Sequence, residues 1–111
     1  MENIKIIGDL IYKALKEENI PFKELYFVDE EPAFEEDYFK YRLIALVDTN
    51  NGKSRNKIKY DIRRLLRPIR EEYSLDDEFA GIGVCVYDDE LFKANWVITN
   101  RATKEGIKYV G

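Results

Sequence analysis

The chain has no histidine and only one cysteine, Cys85, among its 111 residues. Without histidine there is no Ser-His or Cys-His nucleophile pair and no zinc site of the usual Cys/His kind. A lone cysteine forms no internal disulfide, and its setting in the apolar run Ile82 to Tyr87 reads as a small buried hydrophobe, not a reactive thiol. Long apolar runs are missing too. Leu43 to Val47 is far too short to span a bilayer, and the N-terminus carries Glu2 and Lys5 instead of a basic lead into an apolar stretch and cleavage site. Repeats, low-complexity tracts and linker-like segments are also absent. These absences predict a soluble cytoplasmic protein with a single domain over residues 1–111. Any catalysis in it would rest on carboxylates, lysine, tyrosine or a metal held by oxygen.

What is present suffices for one modest core, with 45% apolar and 14% aromatic residues. The net charge of −4 hides a strong asymmetry. Glu24 to Asp37 holds seven acids and no base, while Lys53 to Arg70 holds eight bases against one acid, Asp61. The two segments read either as solvated faces or as surfaces that attract each other or two different partners.

Ile4, Ile7, Leu10, Ile11, Ala14 and Leu15 recur at helical spacing, which predicts an amphipathic helix over 3–19 stopped by Asn19 and Pro21. Leu25 to Val28 reads as a short buried strand. Tyr38 to Asp48 reads as a longer one, alternating at first and then apolar on both faces from Leu43 to Val47, the pattern of a central strand with one end at a cleft. After an Asn50-Asn51-Gly52 turn, Ile58, Ile62, Leu65, Leu66, Ile69 and Tyr73 define a second amphipathic helix, with a kink or restart expected near Arg67 because Pro68 interrupts it. Phe79 to Tyr87 is a third strand, weakened by Gly81 and Gly83; Asp88 to Ala94 is a short helix, Val97 to Glu105 has helical character, and Ile107 to Val110 is a closing strand. The order α-β-β-α-β-α-(α)-β describes a small α/β (α+β) fold, a mixed sheet with helices packed against it.

The stretch Glu24 to Val47 carries a resemblance. The strand Leu25-Tyr26-Phe27 is followed by Val28-Asp29, then without a gap by Lys40-Tyr41-Arg42 and the apolar Leu43 to Val47. Further on come Gly83 ahead of Val84-Cys85-Val86-Tyr87, an acidic Asp88-Asp89-Glu90-Leu91-Phe92, and Glu105-Gly106-Ile107-Lys108-Tyr109-Val110-Gly111. In spacing and apolar pattern this is similar to the minimal nucleotidyltransferases of the polymerase β superfamily, over nearly the whole chain. In that family a strand ends in Phe-Gly-Ser, a second opens Asp-x-Asp, and a third bears another acid. The resemblance implies a site for two divalent ions that bridge a triphosphate, activate the attacking hydroxyl and stabilise the leaving pyrophosphate.

The residues that would do this are replaced. Hard cations need clustered carboxylate oxygens, and the three implied positions hold Lys40, Arg42 and Gly83. Where the family has Gly-Ser, β-branched Val28 resists the phosphate-cradling turn and Asp29 would repel a phosphate. Neither metal nor cofactor is expected. Lys40 and Arg42 could pair with acids such as Asp29, Glu30 or Asp37, or bind an anion directly, a nucleotide phosphate or an acidic side chain. A catalytic site rebuilt from Asp37 and Asp48 is a third option, but Asp48 lies roughly 20 Å along an extended strand from Arg42.

The basic helix, with Arg63, Arg64 and Arg67 as a second charged surface, shows no aromatic interleaving and no nucleic-acid motif, so nucleic acid is not the expected partner. Trp96, Tyr38, Phe39 and Tyr41 read as core or edge packing. Phe34 and Tyr38 beside Glu30, Glu31 and Glu35 would, if exposed, make an aromatic anchor ringed by acids, as at a protein interface. The expected function is a catalytically inactive nucleotidyltransferase-like domain that binds a protein, in an antitoxin-like or regulatory role. The resemblance implies a small helical toxin of the HEPN type as a possible partner. The alternatives are a metal-independent nucleotide-binding regulator and an acidic immunity or inhibitor protein.

Overall fold

Apolar spacing dictates the first element. The computed structural model describes residues 2–29, 41–48, 54–73 and 81–111, and in it α1 (Glu2–Glu17) buries Ile7, Ile11 and Leu15 to 1% exposure or less. Its end is chemically specified. Asn19 adopts a left-handed φ of 55°, Ile20 N–H donates to the Leu15 carbonyl at 3.0 Å, and Asn19 N–H donates to the Lys16 carbonyl at 3.1 Å. These are the paired bonds of a Schellman cap, for which asparagine is the best non-glycine residue. Ile20 joins the same buried cluster as Leu15, and Pro21 prevents the helix from resuming.

Strands β1 (Glu24–Asp29), β2 (Tyr41–Leu46), β3 (Ile82–Tyr87) and β4 (Ile107–Val110) form one mixed sheet in the order β3-β2-β1-β4. β1 runs antiparallel to both β2 and β4, whereas β2 and β3 are parallel. A parallel pair needs a crossover, supplied by α2 (Arg55–Glu72). Ser54 caps this helix by accepting the Lys57 N–H at 3.2 Å. The restart expected near Arg67 does not occur: one helix runs through Pro68 to Glu72. Pro68 is exposed, so water can hydrate the Arg64 carbonyl left without a donor.

Alternation along the strands divides the core in two. Leu25, Phe27, Tyr41, Leu43, Ala45, Ile82, Val84 and Val86 face α1 and α2, while Tyr26, Val28 and Ile44 face Ala102, Ile98 and Phe92 of α3 (Asp89–Ala94) and α4 (Trp96–Glu105). Asp88 caps α3 through the Leu91 N–H at 2.9 Å, and Thr99, 3% exposed, ties α4 back to α3 by donating to the Phe92 carbonyl. The element order is the one the sequence predicts. Among the differences, Trp96 is 63% exposed and not packed in a core or edge cluster. It is the first residue of α4, whose buried side is instead set by Thr99 and Ala102. The expected strand residues 38–40 and 79–80 and the 50–52 turn lie outside the described residues. No described helix is long and apolar enough to cross a membrane.

Two glycines lie where elements press closely together. A Cβ on Gly106 would stand 2.6 Å from the Ala102 carbonyl oxygen and 2.9 Å from that of Phe27, both backbone atoms that cannot step aside. On Gly8 it would stand 2.6 Å from the Tyr109 hydroxyl, which donates to Asp9 at 2.7 Å and whose ring stacks on Tyr12. Gly106→Ala and Gly8→Ala are each expected to lower unfolding free energy by about 1–3 kcal/mol, the usual range for overpacking. Gly106→Ala should be the worse of the two. Urea denaturation followed by circular dichroism checks this, and Tyr109→Phe should relieve part of the Gly8→Ala loss while leaving that of Gly106→Ala unchanged.

Candidate functional site

Strand register gathers the positions singled out by spacing. Val28 of β1 lies opposite Arg42 of β2, and Arg42 lies beside Gly83 of β3. Residues 14 and 41 positions from Arg42 respectively along the chain would not share a row by local geometry alone. Here all three fall in one row across three strands, on the face that carries α3 and α4.

The row is mostly closed. Val28 is 3% exposed against α4, Gly83 is buried, and Arg42 at the centre is half-buried. The Arg42 guanidinium donates from Nη1 to Cys85 Sγ at 3.2 Å. Cys85 is accordingly half-buried beside a cation, not the fully buried hydrophobe its apolar run suggests. One strand step further, burial pushes the Tyr87 phenol up to about 12, its hydrogen bond with Cys85 adds to this, and Arg42 opposes it.

Asp29 points the other way. It pairs in register with Tyr41, on the face of α1 and α2, and is exposed at the strand end. Burial first, and then the Asp29 charge, raises the Tyr41 phenol above its usual range. The strand pleat therefore separates Asp29 from Arg42. Glu30, Glu31, Lys40 and Asp37 lie outside the described residues, as do Phe34, Tyr38 and Phe39. Asp48 is exposed beyond the end of β2. Among the described residues no group of three or more Cys, Asp or Glu side chains could hold a metal ion.

A second polar group lies lower on the same face. Tyr26 donates to Glu24 Oε1 at 2.6 Å, and Lys108 approaches Glu24 Oε2 at 3.2 Å. The Tyr26 hydrogen bond, with Lys108 and Lys23 helping, holds Glu24 below the usual carboxylate range against its own desolvation. Burial, then that same bond, lifts Tyr26 to about 12.

Arg63, Arg64 and Arg67 are exposed on α2, on the opposite side of the sheet from Arg42. Two neighbours on this helix were not singled out by the sequence. Asp61, the one acid among the bases, is 6% exposed and receives the Lys57 ammonium at 2.9 Å. Tyr60, 66% exposed, stands with the arginines, and its spacing of three and four residues from Arg63 and Arg64 was the available signal.

Comparison of the chain with protein families, with curated proteins and with solved structures found no match.

The raised tyrosines fix the sign of an alkaline effect. A phenol held neutral in the fold keeps a proton that the unfolded chain releases near pH 10. Stability from Tyr26 and Tyr87 is whole below pH 10 and is lost as pH rises toward about 12. Glu24 acts in acid, its contribution being present above pH 4.5 and lost as pH falls through its lowered value. Unfolding free energy measured across pH should fall at both ends. Tyr26→Phe should flatten the alkaline limb and, by removing the donor to Glu24, the acid limb as well; unchanged limbs would contradict the assignment.

Proposed function

We propose that the chain is a nucleotidyltransferase-like domain that has lost transfer chemistry and acts by binding a protein partner, in an antitoxin-like or regulatory role. The observation that carries this reading is the row Val28–Arg42–Gly83, which brings the spacing-derived site positions side by side with a guanidinium at the centre. Every residue of β2 has a neighbour on each side, but positions chosen by spacing alone that fall in the same row favour a shared ancestral site. A fixed cation at its centre disfavours a divalent ion there, and a nucleophile activated by metal is the family's implied chemistry. A half-buried arginine suits recognition of a carboxylate, because its planar fork binds such groups bidentately.

Incubation of the purified chain with each labelled nucleoside triphosphate, Mg²⁺ or Mn²⁺ and protein or RNA acceptors is expected to give no transfer above a blank. Robust transfer abolished by one carboxylate substitution would sink the proposal. The chain recovered from its native cells should carry one protein at near-equal amount, and Arg42→Glu should release it. If thermal stability instead rises with millimolar nucleotide in EDTA and this response disappears in Arg42→Ala, the partner is a nucleotide and the regulator reading replaces the protein one.

A further inference from the structure

On the outer flank of α2, Tyr60, Arg63, Arg64, Arg67 and Arg70 line a recess of about 770 Å³ among the described residues, with Glu71 on its wall. Arginines on a protein surface are usually neutralised by neighbouring acids. Lys57 of the same helix follows that habit with Asp61, but Arg63, Arg64, Arg67 and Arg70 have no ion-pair partner among the described residues. The Nε atom of Arg70 is moreover buried without an acceptor. A buried donor left unsatisfied is costly, and a small shift of the Arg70 side chain toward a bound anion would satisfy it.

The spacing gives the anion a direction. Tyr60, Arg63 or Arg64, Arg67 and Arg70 advance by three or four residues, so they form one stripe of about 15 Å along the helix axis. Three guanidiniums in a line with a fourth beside them suit a chain of anionic groups better than a single ion. Tyr60 at one end is 66% exposed; the Lys57 ammonium stands over its ring at 5.9 Å from the centroid, and the exposed remainder of the ring beside a cationic stripe is where an unstacked base can rest while arginines hold the adjoining backbone. An acidic peptide would use the arginines but has nothing to lay on the ring. A duplex would use the arginines too, but it keeps its bases stacked.

We propose that this stripe binds the phosphate backbone of a single-stranded nucleic acid, with Tyr60 as the platform for one base. The expectation from sequence, that nucleic acid is not a partner, rested on the lack of a nucleic-acid motif and of an aromatic among the bases. Tyr60 supplies the aromatic. The net charge of −4 does not oppose local attraction, because the cationic stripe is concentrated on one flank.

Fluorescence anisotropy of labelled mixed-sequence single strands of about a dozen nucleotides, RNA and DNA, with the full chain tests this. Binding should weaken with salt at a slope of roughly −2 to −3 in log–log form, the value for three or four phosphates neutralised on a single strand. The triple variant Arg63→Ala, Arg64→Ala, Arg67→Ala should lose at least tenfold in affinity at low salt and most of the slope. Tyr60→Ala should lose about tenfold with the slope unchanged, whereas Tyr60→Phe should bind like the original. Lys104→Ala, an exposed base on α4, should change neither quantity. All these side chains are exposed, and unchanged thermal midpoints establish that the variants are folded. The proposal is overturned by no binding at low salt, by full binding in the triple variant, by a duplex binding as well as a single strand, or by polyglutamate competing equally and ignoring Tyr60. None of these outcomes bears on the transfer assay, so the two readings stand or fall separately.

Discussion

Leu43, Ile44 and Ala45 are excluded from solvent on successive sides of one strand, and this two-sided burial is the constraint on which the architecture depends. A strand apolar on both faces must be paired on both edges and covered by helices above and below. β1 and β3 take the edges of β2. The parallel pairing with β3 demands a crossover, which brings α2 to one face, while the chain after β3 covers the other with α3 and α4. The same constraint fixes Arg42. A one-residue slip of β2 would turn its guanidinium into the cluster of Phe27, Leu43 and Val84, and burying an unpaired charge there would cost far more than the register could regain.

The two groups of arginines are therefore held in different physical regimes. Arg42 lies along an apolar surface with its head toward a thiol, a setting in which a low local dielectric strengthens every polar contact. The α2 arginines are in or near water, where attraction is weaker, acts over a longer range and is screened by salt. Ion pairs elsewhere, such as Lys5–Asp9 and Lys23–Asp89, join exposed side chains and contribute little stability. Packing, more than charge, holds the fold together.

How much was legible follows from which signals are local. The Schellman end of α1 was written in Asn19-Ile20-Pro21, and β2 was written in five consecutive apolar residues, so element order and layering could be read directly. Signals that depend on tertiary context were not. Pro68 reads as a breaker, but whether a proline interrupts a helix depends on whether the freed carbonyl meets water, and exposure is not visible in sequence. Trp96 reads as core because of its size, but it falls on the wrong side of α4. The alignment of Val28 with Arg42 and Gly83 was legible only as a spacing resemblance, since register is a property of pairing and not of one strand. Tyr60 was missed because it lies off the apolar face that defines the helix, and its place beside Arg63 and Arg64 is set by helical spacing.

The proposed loss of metal chemistry rests on a magnitude as well as on absent carboxylates. A separation of about 5 Å between a divalent ion seated in the row and the Arg42 charge, on the order of the strand spacing, sets the scale. At an effective dielectric of about 20, a +2 and a +1 charge at that distance repel by on the order of 6 kcal/mol, or roughly four powers of ten in affinity. A carboxylate at the same position would attract the ion by a similar amount. An arginine in place of an acid would thus shift the balance by about twice that figure. The same field has the opposite effect on an anion. Under this reading the charge that excludes a metal also selects what the site can still bind, and a negatively charged partner group becomes the natural occupant.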